Sequence, residues 1–166
     1  MVIERLKNKH NVKGLDAWTF KIDHPYVSNL LKLCDQFVEE IPYKIPCNLT
    51  GWRSYWETHK HNDSLKEFID LLSLDLHNYI ADVEIRNSWF AVYQYGDMAA
   101  EHNHGDGMWA CVLYLDVGNK QSSLVVDKQG FTFEIGDLFV FPGQLNHYVP
   151  RTLEKRIVLV INFKQL

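Results

Sequence analysis

Gly136-Asp137-Leu138-Phe139-Val140-Phe141-Pro142, followed by His147-Tyr148-Val149-Pro150 and then Arg156-Ile157-Val158-Leu159-Val160-Ile161-Asn162-Phe163, is the stretch that decides the fold. Short apolar runs rich in Val, Ile and Phe, bounded by Gly, Pro and Asn, read as strands. Working backwards, Phe131 to Glu134, Ser122 to Val126, Met108 to Leu115 and Val83 to Tyr95 read the same way. Turn residues at Gly96-Asp97, Val117-Gly118-Asn119, Gln129-Gly130 and Pro142-Gly143 separate them. Consecutive short strands without a helical crossover predict an antiparallel sandwich or barrel. The expected class is mainly β with flanking helices, a jelly roll with the helices packed on its outside.

Upstream, the hydrophobic period changes near residue 82. Val27, Leu30, Leu31, Cys34, Phe37 and Val38 recur at helical spacing, with Pro25 at the opening turn and Pro42 just past the end. Leu65, Phe68, Ile69, Leu72, Leu76, Tyr79 and Ile80 repeat the pattern, and Ser64 with Glu67 reads as a capping box. Between them, 42–63 is irregular and aromatic. One domain over 1–166 is expected, with 1–82 as helical support and loop and 83–166 as the β core.

With 17 basic and 21 acidic residues the formal charge is −4, which gives no electrostatic case for tight, sequence-independent binding to nucleic acid. No apolar run approaches the roughly 20 residues that cross a bilayer, and the first residues are charged rather than signal-like. No membrane association and a cytoplasmic location are therefore expected. Cys34, Cys47 and Cys111 are odd in number and widely spaced, so buried free thiols are expected rather than a disulfide framework or a zinc ribbon.

The chemistry-bearing residues are His104-Gly105-Asp106, His147 and Arg156. In a strand, residues i and i+2 share a face, so His104 and Asp106 would reach one ion, with Gly105 removing bulk between them. His102 shares that parity, which leaves open a shifted register with His102 in the metal shell and Asp106 displaced. Two imidazoles and a carboxylate on one ion describe a facial triad for non-haem iron. Arg156 falls on the same face as Val158 and Val160; a guanidinium on an interior face must meet an anion.

In these pieces the segment from Trp89 to Phe163 resembles the iron(II)- and 2-oxoglutarate-dependent oxygenases, particularly compact prolyl-hydroxylase-like members encoded by phage and bacteria. The motifs that carry the resemblance are Tyr93-Gln94-Tyr95-Gly96, the His-x-Asp triplet, the Gly136 to Pro142 run, His147-x-Val149-x and Arg156. The resemblance implies a double-stranded β-helix. It makes His104, Asp106 and His147 the iron ligands and Arg156 the clamp on 2-oxoglutarate, helped by a tyrosine hydroxyl for which Tyr95 is preferred over Tyr93. It also implies a hydroxylase that consumes dioxygen and 2-oxoglutarate and releases succinate and carbon dioxide. The substrate would be a protein side chain such as proline, or a small molecule. Trp52, Arg53 and Trp109 are candidate pocket residues. Many relatives carry Ser or Thr two residues after the clamp arginine, where this chain has Val158. Two other readings stay open: a cupin-like metalloprotein that does not use 2-oxoglutarate, and a jelly-roll binding or structural module.

Overall fold

The computed structural model describes residues 1–118 and 122–166. Among these the elements run β1 (Ile3–Val12), β2 (Leu15–Ile22), α1 (His24–Glu40), β3 (Trp52–Arg53), α2 (Asp63–Ile80), β4 (Val83–Tyr93), β5 (Ala99–His102), β6 (Met108–Asp116), β7 (Ser122–Val126), β8 (Gln129–Phe133), β9 (Asp137–Pro142), β10 (His147–Val149) and β11 (Arg156–Gln165). A 3-10 turn at Thr58–Lys60 lies between β3 and α2. The strands form a seven-stranded sheet in the order β1-β2-β9-β6-β11-β4-β3 and a four-stranded sheet in the order β5-β10-β7-β8. This is the jelly roll, a double-stranded β-helix, that the strand pattern predicts. The turn expected at Val117-Gly118-Asn119 runs into residues outside those described.

Strand alternation sorts the core into two layers. Cys111, Leu113 and Leu115 of β6, and Ile157, Leu159, Ile161 and Phe163 of β11, face the helices, where they pack with Leu30, Cys34, Phe37, Leu65, Phe68 and Leu72. Ala110 and Tyr114 of β6, Val158 of β11 and Phe139 and Phe141 of β9 face the second sheet. The helices cover the outer face of the large sheet and leave the space between the sheets for the site.

Three expectations need correction. Residues 1–82 are more than helix and loop, since β1 and β2 form a hairpin and β2 pairs with β9 at the edge of the large sheet. Lys7 Nζ ties that hairpin to the buried Asp137, 2.7 Å from its Oδ1. The N-cap of α2 is Asn62, whose side chain accepts from the Leu65 amide at 2.9 Å; the helix has already begun at Ser64. Asn62→Ala should lower stability by about 1 kcal/mol, a drop of about 2–4 °C in a thermal melt. Finally, Cys34 and Cys111 are buried but Cys47 is exposed.

Candidate active site

His147 and His102 stand directly opposite each other in the β10–β5 pairing, where cross-strand side chains on one face meet. His104 lies just beyond β5, its amide donating to the Gly143 carbonyl at 2.7 Å. The three rings converge, with centroids 4.3 Å apart for His102 and His147, 5.0 Å for His104 and His147 and 5.2 Å for His102 and His104. One nitrogen from each lies within 4.8 Å of the others. Asp106 is exposed and does not belong to this group. The expected parity fails because β5 ends at His102 and the chain turns through Gly105 and Gly107, with φ of 84° and 71°. The left-handed conformation at Gly105, which favours glycine, breaks the alternation that would have aligned His104 with Asp106.

The imidazoles are suited to a metal. The His147 Nδ1–H donates to the Leu145 carbonyl at 2.9 Å, leaving the Nε2 lone pair for an ion. His102 Nδ1 lies 2.8 Å from the Ala100 carbonyl and 2.9 Å from the Asn48 side-chain amide nitrogen; donation to the carbonyl gives the same tautomer. At His104, Asn162 Nδ2 lies 3.4 Å from Nδ1 and donates to Asn87 Oδ1 at 2.9 Å, while the buried Asn162 Oδ1 has no partner. Turning the Asn162 and Asn87 amides together exchanges oxygen and nitrogen in both and keeps the hydrogen bond between them. With both turned, the Asn162 oxygen is placed to accept from His104 Nδ1–H, which leaves Nε2 of that ring for an ion.

Burial drives His147 down to about 3, with the neighbouring His102 and His104 adding to the shift, and His104 down to about 4, with His102 adding to it. Both are neutral donors at pH 7. An unfolded chain takes up these protons below about pH 6.5, whereas the fold refuses them until its lowered pKa is reached. The metal-free protein should therefore lose stability as pH falls from about 6.5 towards 4, by up to about 1.4 kcal/mol per pH unit for each of the two histidines. Thermal melts in chelator across that window would check this, and a flat profile would contradict it.

Arg156 is 4% exposed and stands opposite Tyr93 in the β11–β4 register. Its guanidinium carbon lies 4.5 Å from the Tyr93 ring centroid and 5.8 Å from that of Tyr114, and Nη1 donates to the Ser123 carbonyl at 2.7 Å. Arg156, Tyr93, Tyr114 and the three histidines line one cleft between the sheets. Tyr95 is 78% exposed and corrects the tyrosine preference: β4 ends at Tyr93, and Tyr95 sits in the following turn. Tyr114 was not singled out by sequence, although it shares parity with Ala110 and Val112 along β6, which also line the cleft. Its hydroxyl is buried with no hydrogen-bond partner, and burial pushes its pKa up. Of the three candidate pocket residues, Arg53 lines the cleft, while Trp52 and Trp109 pack in the helix-side layer.

Solved structures share this architecture. A prolyl-4-hydroxylase from Pseudomonas putida aligns with a TM-score of 0.65 at 21% identity, covering 86% of this chain and 87% of that one. The viral collagen prolyl hydroxylase from Paramecium Bursaria Chlorella virus-1, in its 2OG complex, gives 0.65 at 11% identity over 90% and 96%. The non-heme alpha-ketoglutarate-dependent epimerase SnoN of nogalamycin biosynthesis gives 0.72 at 8% identity over 90% and 76%. The chain has the fold of the 2OG-Fe(II) oxygenases. No protein-family model matches the sequence, and no curated protein does. The oxygenase fold serves hydroxylation and epimerisation alike in these neighbours, so the chemistry of this chain has to be argued from its own cleft. Among the described residues no helix is long and apolar enough to cross a membrane.

Proposed function

We propose that this chain is an iron(II)- and 2-oxoglutarate-dependent dioxygenase that hydroxylates an organic substrate. The observation that carries the reading is the convergence of His102, His104 and His147 in the same cleft as the buried Arg156. His102, His104 and His147 hold the iron; Asp106 has no part in it. Bound iron, with 2-oxoglutarate and dioxygen, supplies the oxidising power, and succinate and carbon dioxide are the by-products.

The chain's own residues bind, orient and exclude water. Arg156 meets the cosubstrate's distal carboxylate with parallel N–H donors, a fork geometry that lysine lacks. Tyr114 offers its unused hydroxyl to the same carboxylate, supplying the bond that Val158 cannot make. Tyr93 supports the guanidinium from its ring face. Ala110, Val112, Leu124, Val158 and Val160 keep the cleft wall apolar, which strengthens these contacts by lowering the local dielectric. The prolyl hydroxylases among the similar structures support a side chain such as proline as one substrate class; a small molecule is the other.

A second reading, a cupin-like metalloenzyme without 2-oxoglutarate, draws on the all-histidine donor set. Succinate formation separates the two. Purified protein given iron(II), 2-oxoglutarate and dioxygen should release succinate, with release lost when iron is chelated. Iron binding without any 2-oxoglutarate consumption would favour the second reading.

A further inference from the structure

Arg53 is a second cation in the cleft that the cosubstrate does not use. It lies on the two-residue β3, opposite Ala91 of β4, and alternation sends Trp52 to the helix side and Arg53 to the cleft. Gly51 lets β3 approach β4 so closely, since a Cβ there would run into the Val92 carbonyl oxygen. The side chain is 9% exposed. Nη1 donates to the Ser54 carbonyl at 3.0 Å and the guanidinium lies 4.8 Å from the Trp56 ring centroid. Its buried Nε has no hydrogen-bond partner, and no carboxylate lies within ion-pair reach among the described residues.

One carbonyl and a ring contact worth about 0.5–2 kcal/mol do not offset several kcal/mol of guanidinium burial. An anion does. The cleft is lined by two arginines and, among its described lining residues, by no Asp or Glu. In the oxygenase reading, on which this inference rests, 2-oxoglutarate occupies Arg156 and the metal, and Arg53 is left for a second anion.

We infer that Arg53 recognises the carboxylate of the prime substrate, which is a small carboxylic acid with a flat apolar body. With Nη1 committed to Ser54, the Nε and Nη2 edge offers two parallel N–H donors, the spacing a carboxylate accepts. Trp56, stacked on Trp89 with centroids 4.5 Å apart and planes 9° apart, is 46% exposed and lies against Arg53. Its free surface seats the apolar body. The absence of a lining carboxylate disfavours an ammonium group, and a polypeptide would bring a charge to Arg53 only through an acidic side chain or its C-terminus. A small free acid presents that carboxylate with the least bulk and is the substrate class proposed.

The test is a calorimetric titration of the protein, loaded anaerobically with iron(II) and 2-oxoglutarate, with phenylacetate and its neutral counterpart phenylacetamide. Phenylacetate should bind at least about tenfold more tightly, the difference expected of a charge-assisted hydrogen-bond pair. Arg53→Met should erase the preference and Arg53→Lys keep part of it, with cosubstrate affinity retained in both. Equal binding of the two probes by the unaltered protein, no binding of either at millimolar concentration, or a preference that survives Arg53→Met would overturn the proposal. Failure of 2-oxoglutarate itself to bind would instead remove the oxygenase reading. The same acid–amide comparison without cosubstrate would then still show whether Arg53 selects a carboxylate.

Discussion

His102→Ala should weaken iron(II) binding by at least on the order of a hundredfold, and Asp106→Ala should leave it intact. The opposition of the two variants follows from where β5 stops. His102 is the last residue of the strand and faces His147 across the pairing, whereas Asp106 lies in solvent between Gly105 and Gly107, both at positive φ. An exposed carboxylate contributes to an ion only if the chain brings it within about 2.2 Å of the metal, and this loop carries it away. The two variants are best compared by iron content after desalting and by the metal-induced rise in melting temperature. A protein that kept its iron without His102 and lost it without Asp106 would restore the two-histidine, one-carboxylate site. His147→Ala should behave as His102→Ala does.

Arg156→Ala should raise the 2-oxoglutarate concentration needed for half-saturation by on the order of a hundredfold to a thousandfold, the effect of removing one partner of a buried charge pair. Iron affinity should barely change, because the guanidinium packs on Tyr93 and Tyr114 and does not belong to the imidazole cluster. Arg156→Lys should fall between, keeping the charge but losing the fork. Equal losses of iron and cosubstrate in Arg156→Ala would mean that the residue holds the fold of the cleft rather than the ligand. Tyr114→Phe, which removes only the unpartnered hydroxyl, should shift the same curve by about fivefold to tenfold.

The strands from Val83 onward were legible because one side of each faces a packed layer, so apolar and turn residues mark them. The N-terminal hairpin was not. β1 has a single fully buried residue, Val12, and carries Arg5, Lys7 and Lys9, the charged composition of an edge strand. Its turn, Lys13-Gly14, has positive φ at both residues, a geometry usually announced by Asn-Gly or Asp-Gly. The placement of Arg156 and His147 in the cleft was legible because each opens a strand whose neighbours fix its face. His102 was visible as the alternative ligand; which of it and Asp106 joins the histidine cluster depended on the end of β5 at His102 and the left-handed Gly105, which alternation alone does not locate. Tyr114 was hidden in an apolar run where a tyrosine reads as core. Only its burial beside Arg156, with an unused hydroxyl, separates it from the phenylalanines around it.

The most direct test of the central claim is the visible spectrum of the metal-free protein given iron(II) and then 2-oxoglutarate without oxygen. A weak charge-transfer band from chelated cosubstrate is expected in the unaltered protein and in Asp106→Ala, and none in His102→Ala. Iron bound tightly with no band at saturating 2-oxoglutarate would contradict the claim.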